Sequence, residues 1–259
     1  MYLWMVFLRW LMESFFDQRL LWVFLSGIPV GIFAIVLGGT MFLSLPIFQL
    51  FFPELSLGAL VGNIKVGSAI RNAFAIWPLR RRLRIREIFH ILVALLAGGF
   101  IGAFGITNVS QSFVLPVIVL AILVTEAAPW ISGRISKSTY IVVAVLAGVF
   151  GGIIGAGISL IILSLLRIQI PDNDRIVEVR ADAILLELIN TLAAIVVFMF
   201  FGKLIFPLWV SWALGSIIGG YIGGHIVERT GRFPPAIQRY LLRAVFGFAL
   251  AVAGYKLIS

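Results

Sequence analysis

Long apolar stretches alternate with short polar or proline-containing breaks along almost the whole chain. The stretches fall at 22–52, 55–77, 88–106, 111–128, 139–168, 181–201, 205–227 and 236–257. A helix of about 20 apolar residues spans a bilayer, and none of the breaks is long enough to fold as an aqueous domain. The pattern therefore predicts an all-α polytopic membrane protein. Residues 1–19 differ from the rest. Arg9, Glu13 and Asp17 recur every four residues and share one helical face, while Tyr2, Trp4, Phe7 and Trp10 crowd the remainder. This segment reads as an amphipathic helix lying in the membrane interface.

A shift of 121 residues lays the second part of the chain over the first. Gly27 and Gly31 fall on Gly148 and Gly152, and Gly98, Gly99 and Gly102 fall on Gly219, Gly220 and Gly223. Asn72 meets Asn190 after a slip of three residues. Two homologous halves of about four segments each follow, at 20–137 and 138–259. Internal duplication is a common plan for secondary transporters, with the substrate site between the repeats. The first segment of each half is too long for one straight crossing. As a helix, 22–52 would measure about 46 Å against a hydrocarbon core of about 30 Å. Each also carries mid-segment glycines, in Gly38-Gly39-Thr40 and in the run Gly151-Gly152-Ile153-Ile154-Gly155-Ala156-Gly157. Interior glycine costs a helix about 1 kcal/mol relative to alanine, so both segments are predicted to be broken or re-entrant. Such backbone survives at membrane depth only where protein or a water-filled cavity surrounds it.

Composition confirms lipid as the solvent. The chain is 61% hydrophobic and only 12% charged, with a mean hydropathy of +1.12, far too few charges to cover a soluble surface. The net charge of +9 sits largely in the breaks, where basic residues mark the cytoplasmic side. Pro78-Leu79-Arg80-Arg81-Arg82-Leu83-Arg84-Ile85-Arg86 is the clearest such marker. If the two glycine-interrupted segments are re-entrant, only Arg9, Arg19, Lys203 and Lys256 of the basic residues other than Lys65 and Arg71 fall outside. That count favours two inverted halves over eight plain crossings. No basic aqueous face is left for nucleic acid. The absence of cysteine excludes disulfides and thiolate metal sites.

Polar groups inside the apolar stretches are costly and mark function. The second stretch carries Asn63, Lys65, Ser68, Arg71 and Asn72, with Lys65 near its centre. Lys65 and Asn72 lie seven apart and share a helical face. The matching stretch of the second half carries Asp182, Glu187 and Asn190, the last two again on one face. Two readings follow. Lys65, with Arg71, Asn72 and Asn190, attracts an anion whose other partners are backbone N–H groups at the breaks (Gly38, Gly39, Gly155, Gly157) and the hydroxyls of Thr40 and Ser159. Alternatively, Lys65 or Arg71 pairs with Glu187 as a gate or a proton relay. His90 and His225 lie on different segments and hold no metal-ligand spacing. No metal or cofactor motif, G-x-S-x-G elbow or phosphate-binding G-x-x-x-x-G-K-[ST] loop is present, so neither an enzyme nor an ATP-driven pump is expected.

The stretch Ala147-Gly148-Val149-Phe150-Gly151-Gly152-Ile153-Ile154-Gly155-Ala156-Gly157 and the segment GSIIGGYIGGHIVERTGR at 215–232 resemble the TauE/SafE family of membrane permeases, the sulfite exporter family. The likeness extends over nearly the whole chain after residue 22. The first half is looser than the family pattern, reading Gly31-Ile32-Phe33-Ala34-Ile35-Val36-Leu37-Gly38-Gly39-Thr40. The second half has Ile158-Ser159 where the family often has another glycine. The resemblance implies a multi-pass protein of the bacterial cytoplasmic membrane that moves sulfite, thiosulfate, sulfoacetate or another organosulfonate. The residues alone allow other small anions, such as a carboxylate, and also a non-transporting membrane scaffold. Glycine-rich faces suit packing within one chain or between copies, which leaves a homo-oligomer open.

Overall fold

The computed structural model describes residues 17–38, 41–132, 139–155, 158–169, 176–230 and 235–258. Among them every regular element is helical. In chain order they are α1 (Gln18–Leu37), α2 (Met41–Phe51), α3 (Leu57–Leu79), α4 (Ile85–Ile106), α5 (Val114–Ser132), α6 (Tyr140–Ile153), α7 (Ile158–Gln169), α8 (Ile176–Phe200), α9 (Phe206–Thr230) and α10 (Pro235–Ile258). Two short 3-10 turns, Arg80–Arg82 and Gln111–Phe113, precede α4 and α5. The first sixteen residues of the expected interfacial helix lie outside the described residues. Gln18 and Arg19, assigned to that helix from sequence, instead open α1, where Asp17 caps the first turn by accepting from the Arg19 N–H.

Among the described residues four helices, α1, α4, α8 and α9, are long and apolar enough to cross a membrane. Large apolar side chains such as Phe104, Leu123, Leu146, Met199 and Phe200 face outward, as the surface of a lipid-solvated protein requires. The two overlong segments are each divided in two. α1 stops at Leu37, with Gly38 at φ +86°, and α2 restarts at Met41. α6 stops at Ile153, with Gly155 at φ +75°, and α7 restarts at Ile158. Positive φ is costly for any residue with a Cβ, which is why both helices turn at glycine. At 1.5 Å per residue, α2 and α7 are about 16 and 18 Å long, roughly half a hydrocarbon core.

The glycines that align at the 121-residue shift serve close helix packing. α1 and α9 run side by side in the same direction, Gly27 against Gly215 and Gly31 against Gly219. α4 and α6 pack the same way, Gly98 against Gly148 and Gly102 against Gly152. A Cβ at Gly215 would strike the Phe24 carbonyl, and one at Gly102 would strike the Val149 carbonyl. Small residues are what allow backbones in lipid to approach so closely. α9 also lies parallel to α3, with Gly220 opposite Arg71 and Gly224 opposite Ala75, whereas α8 runs antiparallel to α3, with Phe198 opposite Gly62 and Glu187 opposite Arg71. On the flanks, α10 covers α2, its Phe246 edge-on to Phe42 at 4.7 Å, and α5 contacts α7 and α10.

Candidate functional site

α3 and α8 pack against each other, and of the polar residues expected there Lys65, Arg71, Asn72 and Asn190 are buried and Glu187 is partly so. Lys65 and Arg71 on α3 are 2% and 1% exposed, and Asn72 is fully buried. Each would be expensive in lipid, so what each one touches is informative.

Lys65 reaches from the first half to the end of α6. Its Nζ donates to the Gly151 carbonyl at 2.6 Å, one of the last-turn carbonyls that a helix cannot satisfy internally. A cation there also complements the negative end of the helix dipole. The nearest atom to the Cβ position of Gly155 is that same Nζ, at 3.2 Å. Arg180 makes the reciprocal reach. From α8 it donates through Nε to the Ile35 carbonyl at 3.0 Å, and through Nη2 to the carbonyls of Ile35 and Ala34. Each broken helix is thus closed at its C-terminal end by a cation from the long helix of the other half. Arg180 was read from sequence as part of a loop. The structure corrects this: Arg180 lies inside α8 and is 7% exposed. The signal available was the hydrophobic pattern resuming at Ile176-Val177, which the intervening charges masked.

The two breaks meet. A Cβ on Gly38 would lie 3.1 Å from the Ser159 Cβ, at the start of α7. Ser159 Oγ donates to Glu187 Oε2 at 2.6 Å, and Glu187 Oε1 lies 3.7 Å from Arg71 Nη2. Arg71 also donates through Nε and Nη2 to the side-chain Oδ1 of Asn72 at 3.1 and 2.9 Å. The Asn72 amide nitrogen, by contrast, is buried with no hydrogen-bond partner. Gly220 on α9 clears the path of the Arg71 stem, since a Cβ there would sit 2.5 Å from Arg71 Cγ. Lys65, Arg71, Asn72, Ser159, Glu187, Gly38 and Gly155 are therefore gathered at one place. Gly39, Thr40 and Gly157 lie outside the described residues.

Asn190 is engaged differently. Its amide nitrogen donates to the Leu95 carbonyl on α4 at 2.8 Å and to the Gly148 carbonyl on α6 at 3.0 Å. It ties two helices together, in a space that Gly99 and Gly151 leave open. Asp182 is likewise occupied, accepting from the Arg84 N–H at 3.0 Å and from the Arg84 guanidinium at 3.0 and 2.6 Å. With the pair Arg82–Glu178 at 3.3 Å, this fastens the arginine-rich loop after α3 to the start of α8. His90 meets the Tyr140 hydroxyl at 3.1 Å and His225 the Tyr221 carbonyl at 3.0 Å, both away from the cluster.

Residues 23–257 match the family described as Sulfite exporter TauE/SafE. The chain belongs to the TauE/SafE sulfite exporter family. It is accordingly a multi-pass cell-membrane transporter of the sulfite-exporter type and not an enzyme. No curated protein and no solved structure is significantly similar to it.

Proposed function

We propose that this TauE/SafE chain is a secondary transporter for a small sulfur oxyanion or organosulfonate, bound where the two helix breaks meet. The observation that carries the reading is a charge imbalance. Lys65 and Arg71 both lie close enough to Glu187 to feel its charge, so among the described residues this centre holds two cations and one carboxylate. Arg180 adds a third cation at the neighbouring break. Buried ions cost several kcal/mol each unless compensated, and one bound monoanion would bring Lys65, Arg71 and Glu187 to neutrality. A sulfonate or bisulfite presents three or fewer acceptor oxygens on one sulfur. The Lys65 ammonium, the unpartnered Asn72 amide and the first-turn N–H groups of α7 are donors of the right kind.

The halves are read as inverted repeats. Under the 121-residue correspondence α1, α3 and α9 map onto α6, α8 and α4, and the packing directions of the first trio oppose those of the second. Such halves supply the two equivalent arrangements that alternating access needs. Glu187 then serves as the resident counter-ion. When the anion approaches Lys65 and Arg71 it competes with Glu187, and the Ser159–Glu187 bond couples that competition to the start of α7. Proton coupling through Glu187 is the corresponding route for the driving force.

Ligand-dependent stability tests the substrate class. A ligand that binds only the folded protein raises its unfolding temperature. Sulfite and sulfoacetate should raise it in purified protein, in a concentration-dependent manner, more than lactate does. Stabilisation by lactate with none by sulfite or any sulfonate would replace the sulfur anion with a carboxylate.

A further inference from the structure

The outer face between α3 and α9 carries a groove that transport leaves unused. It encloses about 670 Å³, and its walls are Phe74, Trp77, Ile218, Tyr221 and Ile222, with Ala73 the smallest residue lining it. The lining is almost wholly apolar, and Phe74, Trp77, Ile218, Tyr221 and Ile222 are all substantially exposed. At the end of α3 the character changes abruptly. Arg80 folds back to donate to the Trp77 carbonyl at 2.8 Å and lays its guanidinium over the Trp77 ring, 4.6 Å from the centroid. Arg81, beside it, is exposed. The neighbouring Arg82 and Arg84 are taken up by Glu178 and Asp182, whereas Arg80 and Arg81 have no carboxylate partner among the described residues. The exposed Glu228 and Arg229 at the end of α9 offset each other.

We infer that this groove is a binding site for an anionic phospholipid, one acyl chain lying between α3 and α9 and the phosphodiester resting on Arg80 and Arg81. The groove is apolar along its length and cationic at one end, which is the charge pattern of such a lipid. A guanidinium presents forked donors that match phosphate oxygens, and stacking on Trp77 holds one of them ready. Trp favours the headgroup level of a bilayer, and Trp77 sits at the arginine-bearing end. The same arginines mark the cytoplasmic side, the leaflet rich in anionic lipid.

Native mass spectrometry of the purified full chain, offered equal amounts of phosphatidylglycerol and phosphatidylcholine, tests this. The wild type should retain phosphatidylglycerol about tenfold in preference, as two basic contacts permit. Arg80→Gln with Arg81→Gln should bind both lipids equally, and Ala73→Trp, which fills the groove, should retain neither. All three positions are exposed, so unfolding temperature and sulfite flux should stay at wild-type values. No lipid preference in the wild type, or full preference in the double glutamine variant, would overturn the assignment. So would undiminished retention by Ala73→Trp, or a dimer that Ala73→Trp converts to monomer, since the face would then belong to a second copy.

Discussion

The two interrupted helices answer the same structural problem with different residues. Both α1 and α6 stop at a glycine with positive φ, Gly38 and Gly155, and in each a last-turn carbonyl, Ile35 or Gly151, is met by a cation from a distant helix. At α1 the partner is Arg180, a planar fork that spans the Ile35 and Ala34 carbonyls. At α6 it is Lys65, a single ammonium on a flexible stem holding one carbonyl, Gly151. Guanidinium fixes geometry through several donors at once, whereas an ammonium is a mobile point charge. Lys65 also shares the field of Glu187 with Arg71. The first break is thus built to be held, and the second to exchange one partner for another. That asymmetry between the two breaks is what makes Lys65 the better candidate for meeting an anion.

Removing the clamp should do the greatest damage to the fold. Arg180→Ala leaves the Ile35 carbonyl buried and unmet, so thermal unfolding in detergent should show a loss of about 2–3 kcal/mol. Lys65→Ala should cost less, about 1 kcal/mol, because the lost bond is offset by relief of the desolvation that burying the ammonium imposes. Equal losses would erase the proposed difference between the breaks. Glu187→Gln should keep the fold but slow anion flux by about tenfold or more, corresponding to roughly 1.4 kcal/mol or more of lost coupling. Unchanged flux and unchanged pH dependence of flux would remove Glu187 from the mechanism.

The glycines allow a finer test. Gly38→Ala and Gly155→Ala each place a Cβ at positive φ, at about 1–2 kcal/mol. Gly38→Ala should be the worse, because its Cβ would also press on Ser159, 3.1 Å away. The smallest effect belongs to Ser159→Ala, which removes one hydrogen bond to Glu187, for about 1 kcal/mol. Measured as melting shifts, these should fall in that order.

Much of this was legible in the chain because the relevant signals are local. The overlong stretches at 22–52 and 139–168 and their central glycines indicated the divisions after Leu37 and Ile153. Lys65, Arg71 and Glu187 stood out as charges in apolar runs. What sequence could not supply was the pairing between distant elements. Arg180 looked like a loop marker because its purpose, the end of α1, lies 145 residues away. Asn190 looked like a ligand-binding amide, yet its hydrogens are spent on α4 and α6. Asp182 stood out as a carboxylate in the same stretch as Glu187, and the loop arginine Arg84 claims it. In each case the decisive partner is a backbone carbonyl or a loop residue, neither of which leaves a compositional trace.

The most direct measurement is uptake of isotopically labelled sulfite into proteoliposomes containing Lys65→Ala, with Lys65→Arg beside it. Loss of at least about tenfold in Lys65→Ala is the expected result, since a charge-assisted contact to an anion contributes about 1.5–3 kcal/mol. Lys65→Arg should recover part of the flux, while both variants unfold within a few degrees of wild type. Wild-type flux in Lys65→Ala would contradict an anion site at the meeting of the two breaks.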